Sequence, residues 1–125
     1  MLQSVERRFG ANYTPSKNWW FSWVDWEDGS IASDLSALRD LGLDHIRAHL
    51  LWPIFQPNAN YISSSALDRL VRLLDLCAER HLHVCVSVLD GWLSGFAFYP
   101  AWLENRNPFV DAEALDAQER LVRTV

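Results

Sequence analysis

The segment His45 to Pro53 reads H-I-R-A-H-L-L-W-P and places a guanidinium inside a short apolar run that ends in an indole. A run of this length bounded by turn formers is strand-like. A charge carried into a core costs several kcal/mol unless it is paired. Arg47 therefore calls for an anion, and no acid lies on its own segment. Tryptophan supplies a second signal: seven occur, four of them as Trp19, Trp20, Trp23 and Trp26. Indole faces stack on the apolar C–H faces of sugar rings while their edges still hydrogen-bond, so the cluster suits a saccharide. It could equally close one end of a barrel or fill a subunit contact.

Other chemistries find less support. A carboxylate pair could come only from Asp25, Glu27 and Asp28 in the tryptophan-rich loop together with Asp90. Solvated loop acids are the commoner explanation, and Asp90 is expected to orient a hydroxyl or to cap its own turn. His45 and His49 share one strand face, yet H-E-x-x-H and Cys-x-x-Cys are both absent, and Cys77 and Cys85 read as buried free thiols. No metal and no cofactor is expected, and His49 reads as a hydrogen-bonding residue of a barrel interior. Ser94, in W-L-S-G-F, lacks the glycine of a nucleophile elbow.

Alternating strands and helices must position these groups. Arg8 to Tyr13 reads as a first strand that opens at Thr14-Pro15-Ser16 into the aromatic loop. Leu35, Leu38 and Leu41 recur at helical spacing after Ser30 and Ser33, either of which can cap, and Gly42 supplies a left-handed exit. Leu43 to Leu51 is a second strand. The spacing Ser65-x-x-Asp68 predicts a capping box for a second helix, with Leu67, Leu70, Val71, Leu74, Cys77 and Ala78 on one face. That helix ends at Arg80-His81-Leu82, with His81 where a glycine often stands, so a strained left-handed residue is expected. Val84 to Leu89 follows as a strand apolar on both faces, broken by Asp90-Gly91. Asp111 caps a last helix with Leu115, Val122 and Val125 on one side. A β-α-β-α order implies a parallel sheet, and G-x-G-x-x-G is absent after strand one. The fold expected is therefore α/β: about three βα units of a (β/α)8 TIM barrel, which typically needs about 250 residues. Residues 1–125 would form one partial domain, truncated before strand four.

Composition narrows the partners. The chain has 125 residues, a net charge of −5 and one lysine, Lys17, which argues against a nucleic-acid surface. No apolar run approaches the roughly 20 residues of a membrane span, and the N-terminus opens with charge, so no membrane partner and a cytoplasmic location are expected. Open strand edges predict self-association of the chain on its own. In this layout function gathers at the C-terminal ends of the strands. That selects Asn12 and Tyr13, then Trp52, then Asp90 and Trp92, with Trp19 and Trp20 in the first loop.

Together G-A-N-Y-T-P at Gly10, L-G-L-D-H-I-R ending in Arg47, L-L-W-P-I-F-Q-P at Leu50 and D-G-W-L-S-G at Asp90 resemble the glycoside hydrolases of clan A. The likeness is greatest to the N-terminal part of the family 5 barrels, cellulase- and mannanase-like, and runs from about Arg8 onward. The resemblance implies a retaining hydrolase of O-glycosidic bonds with two glutamates, an acid/base on strand four and a nucleophile on strand seven, both past Val125. It makes Arg47 the cation that supports the nucleophile, and Asn12, Tyr13, Trp19, Trp20, Trp52, Asp90 and Trp92 candidates for carbohydrate binding. Asp90-Gly91-Trp92 departs from the polar His or Asn common at the end of strand three, which blurs the substrate. The alternative is a non-catalytic carbohydrate-binding fragment or pseudo-enzyme that uses the tryptophan loops.

Overall fold

The computed structural model describes residues 8–125; the charged N-terminal opening lies outside them. Its centre is a parallel sheet of three strands in the order β1 (Gly10–Tyr13), β2 (His45–Leu51) and β3 (His83–Asp90). Register pairs Gly10 with His45 and Asn12 with Arg47 across β1 and β2, then Arg47 with Cys85 and His49 with Ser87 across β2 and β3. Side chains of a strand alternate between faces. On one face Ile46, Ala48 and Leu50 are buried beneath helices. The opposite, inner face carries Asn12, His45, Arg47, His49, Cys85 and Ser87. Gly10 leaves room there for the His45 imidazole, which would have to shift to admit a β-carbon.

The connecting helices are α1 (Asp28–Asp40) and α3 (Ser64–Ala78), with a single turn, α2 (Trp52–Phe55), at the exit of β2. After β3 come a two-stranded hairpin, β4 (Trp92–Leu93) with β5 (Phe96–Ala97), and α4 (Ala112–Thr124). None of these helices is long and apolar enough to cross a membrane. Helix α1 begins before either expected serine cap. Glu27 takes the capping position with its carboxylate bound to Lys17 at 2.7 Å, and Ile31 and Leu35 are buried while Leu41 is exposed. Helix α3 is capped by Ser63, not Ser65: the Ser63 amide donates to the Phe55 carbonyl, which holds it extended, and its hydroxyl accepts from the Ala66 amide at 3.3 Å. Its core face is Ala66, Leu70, Leu73, Leu76 and Cys77, whereas Val71 and Leu74 face outward. Burial pushes the Cys77 thiol up to about 11.

Asp111 caps α4 as expected, accepting from the Ala114 amide at 2.9 Å. The buried stripe there is Ala114, Ala117 and Leu121, and the expected face of Leu115, Val122 and Val125 is exposed. Small residues let the helix approach Gln56, whose side-chain nitrogen donates to the Ala117 carbonyl at 2.7 Å. Gln56 is fully buried; it also accepts from Trp52 Nε1 at 2.8 Å, and its backbone carbonyl accepts from Trp102 Nε1 at 2.9 Å. A buried amide satisfied in this way fixes the loop after β2 against α4. Gly42 and His81 both take the left-handed conformation expected of them, with φ of 91° and 56°.

Candidate active site

The last residues of β2 and β3 carry a hydrogen-bonded set on the inner face. Arg47 Nη2 donates to Ser87 Oγ at 3.1 Å. Ser87 Oγ donates to Asp90 Oδ1 at 2.9 Å, and His49 Nδ1 meets Asp90 Oδ2 at 2.9 Å. An ionised carboxylate only accepts, so His49 carries its proton on Nδ1 in this pair. Strict alternation would put Ser87 and Asp90, three residues apart, on opposite faces. The register slips between His49–Ser87 and Leu51–Asp90, giving β3 one extra residue, and Leu89 takes a left-handed φ of 63° at that point. This bulge returns Asp90 to the face of Ser87 and His49. A left-handed non-glycine residue costs on the order of 1 kcal/mol.

Aromatic residues close the set from above. Trp20 lies edge-on to His49 with ring centres 6.1 Å apart, and Trp23 Nε1 donates to the His49 carbonyl at 2.8 Å. The hairpin turns through Ser94 and Gly95, both with positive φ, as a type I′ turn requires. It brings Phe96 to 5.3 Å from Trp19 and leads Phe98 to 6.2 Å from Trp20. Trp20 Nε1 is buried and has no hydrogen-bond partner among the described residues. A cleft of about 360 Å³ opens beside Asp90, floored by Trp52 and walled by Trp92, Tyr99 and Phe109.

The expected site residues separate accordingly. Asp90, Trp52 and Trp92 share the cleft, whereas Trp19 and Trp20 line a separate small pocket with His49, Trp20 edge-on to its ring. Asn12 is exposed on the inner face next to Arg47. Tyr13 is placed elsewhere: it is buried on the helix side, with its hydroxyl donating to Asp34 at 3.1 Å. Desolvation and the Asp34 carboxylate both push that phenol well above its ordinary range. Trp52 is 3% exposed and packed edge-on to Trp102, so it is a floor and not an open stacking platform. Of the indoles, Trp92 at 65% and Trp19 at 43% are the exposed ones.

Arg47 corrects the expectation of a buried cation. It lies on the inner face but is exposed, whereas His49, two residues on, is buried under Trp20. Cys85, its register neighbour, is likewise exposed and not a buried thiol. The loop acids do not assemble a pair: Glu27 is bound to Lys17, and Asp28 to Arg72 at 2.7 Å. No cluster of metal-ligating residues occurs among the described residues. Sequence reasoning missed Ser87, Phe96 and Phe98: register with His49 puts Ser87 on the inner face, the bulge brings Asp90 to it, and the hairpin brings in the two phenylalanines.

Parallel strands with polar side chains gathered toward their C-terminal ends, beneath an aromatic roof, are the arrangement in which α/β barrels carry their sites. Solved structures agree. The GH5_18 protein of Streptomyces cattleya, solved with GlcNAc, is 42% identical with a TM-score of 0.93, over 95% of this chain and 29% of that one. A glutamate-to-alanine variant of GH5_18 from Bifidobacterium longum subsp. longum, solved with Manβ1-4GlcNAc, is 38% identical with a TM-score of 0.92, over 95% and 29%. The exo-β-1,4-mannosidase Op5Man5 of Opitutaceae bacterium strain TAV5 is 36% identical with a TM-score of 0.90, over 94% and 21%. No protein-family model and no curated protein matches. The chain corresponds to the N-terminal portion of family 5 glycoside hydrolases, and its sheet to the first strands of their barrel. It spans about three tenths of the length of the GH5_18 structures it matches.

Proposed function

We propose that these 125 residues form the front of one catalytic domain, a retaining glycoside hydrolase that acts on β-mannosidic bonds in short saccharides such as Manβ1-4GlcNAc. The observation that carries this reading is the set Arg47–Ser87–Asp90–His49 on the inner face of strands that match β-mannosidase and GH5_18 structures along nearly the whole chain. Two glutamates from later strands, about 5–5.5 Å apart, would give a glycosyl-enzyme intermediate and retention. Arg47 would stand beside the nucleophile, favouring its ionised form and lowering its pKa, while the acid/base partner stays protonated. Asp90 would accept from sugar hydroxyls, and Trp19 and Trp92 would offer faces to the ring.

The test is a chimera in which this chain replaces the matching portion of the Streptomyces cattleya GH5_18 protein. Release of mannose from Manβ1-4GlcNAc, with the β-anomer formed first by NMR, is the expected result. A folded chimera that binds the disaccharide without cleaving it would replace this reading with the carbohydrate-binding one. The 125-residue chain alone is expected to hydrolyse no aryl glycoside and to self-associate through its open sheet edges.

A further inference from the structure

We infer that Ser87 is a positioning residue for Arg47: its hydroxyl aims the guanidinium and keeps Asp90 from capturing it. The inference rests on the reading that Arg47 serves a catalytic carboxylate. A serine hydroxyl has one hydrogen and two lone pairs. Its hydrogen goes to Asp90 Oδ1 at 2.9 Å, because the carboxylate can only accept; toward Arg47 Nη2, at 3.1 Å, the same oxygen must therefore accept. The second carboxylate oxygen is taken by His49 Nδ1. Polarity thus runs one way, from guanidinium through hydroxyl to carboxylate, and no member can be reversed.

Two contrasts give this contact its weight. Arg72 grips Asp28 with two parallel bonds of 2.7 Å, and Arg80 binds Ser36 and the Leu76 carbonyl, so neither depends on one partner. Arg47 is exposed, and Ser87 is its one side-chain hydrogen-bond partner among the described residues; Asn12 and Cys85 flank it in register without bonding it. Ordering so long a side chain needs a tether, since an arginine gives up much rotamer freedom when it is fixed. The second contrast is with a direct ion pair. Were Asp90 to meet Arg47 itself, the planar fork would be occupied by an internal carboxylate. With one hydroxyl between them, Asp90 orients the fork and leaves its other N–H groups to a further anion. The Leu89 bulge is what sets that spacing.

The experiment compares Ser87→Ala and Ser87→Thr in the chimera. Ser87→Ala should lower kcat by about ten- to a hundredfold, the effect of one hydrogen bond to a charged group, with KM changed less than about twofold. Ser87→Thr, which keeps the hydroxyl, should recover most of the loss. An active parent with equal kcat in Ser87→Ala, or a Ser87→Thr variant as poor as Ser87→Ala, overturns the inference. An inactive parent sinks the catalytic reading instead, and the Arg47 guanidinium resonance then decides this one. Protection of its N–H groups from water exchange in the parent and loss of it in Ser87→Ala supports positioning; equal exchange in both refutes it. Should Ser87→Ala not fold, Ser87→Cys, similar in size but a weak acceptor, takes its place in both measurements.

Discussion

Strand β2 shows two proteins in alternate residues. Ile46, Ala48 and Leu50 face the helices and are almost wholly excluded from solvent. Arg47 and His49, between them, face the inner side and are held by hydrogen bonds, with His49 also covered by Trp20. One face is specified by volume, the other by donors and acceptors. A strand delivers both because its side-chain period is two, so stability and chemistry can be assigned to separate residues a few ångströms apart. The comparison also explains why an arginine is tolerated in an apolar run: it does not share a face with Ile46, Ala48 and Leu50, which fill the helix side.

The largest expected effect breaks that separation from the chemical side. In the chimera, Arg47→Ala should cut kcat by about a hundred- to a thousandfold, the range seen when one electrostatic stabiliser is removed. Its melting temperature should stay within a few degrees, since an exposed side chain with one hydrogen bond holds little of the fold. Thermal unfolding and Manβ1-4GlcNAc turnover on the same sample check both halves. Leu50→Ala, three residues on and fully buried, should show the reverse: a loss of about 2–5 kcal/mol in denaturant unfolding, with kcat of the folded fraction nearly unchanged. If both variants lose stability and turnover together, the two faces are not independent.

A smaller effect sharpens the boundary at β1. Tyr13→Phe removes the hydroxyl that donates to Asp34, a carboxylate that still accepts from the Ser16 amide and hydroxyl at 2.8 and 2.6 Å. We expect about 1 kcal/mol of destabilisation and no change in KM. A raised KM would return Tyr13 to the binding surface, where its sequence position first put it.

The pattern of what could be read in advance follows from the same two faces. Apolar runs announced β2 and β3 within two residues of their limits, and the resemblance to family 5 picked out Arg47 because both its type and its spacing to Trp52 are encoded locally. Helix faces were harder. The run L-D-R-L-V-R-L-L-D-L offers several stripes, and which one is buried depends on how α3 crosses the sheet; Leu73 and Leu76 meet it where Val71 and Leu74 were expected. The same holds for α4, where small alanines and not the larger Leu115 and Val122 face inward. Alternation leaves Ser87 beside His49 on the inner face but hides its bond to Asp90, since the bulge at Leu89 inverts the parity between the two. Trp52 was legible as a residue of the strand exit, but its burial depends on Gln56 and Trp102, the latter fifty residues downstream.

The smallest expected effect lies on the helix layer and reports pH. Asp28 begins α1, where a negative charge suits the helix N-terminus, and the Arg72 guanidinium from α3 grips both its oxygens at 2.7 Å. Trp26 Nε1 adds a third donor, and together these hold the carboxyl down at about 2. A group whose folded pKa is depressed contributes stability above its unfolded pKa, near 4, and loses it as pH falls through the folded value. The contribution should therefore be constant above about pH 5 and fade between about pH 4 and 2. Both partners are well exposed, so the pair is screened and the effect small. Melting the chimera and its Asp28→Asn variant across that range checks it: the two curves should lie apart at neutral pH and converge toward about pH 2. Convergence at high pH would give the opposite sign and assign the pH response to another group, while mannosidase activity at neutral pH should not distinguish the two proteins, because neither Asp28 nor Arg72 faces the inner side of the sheet.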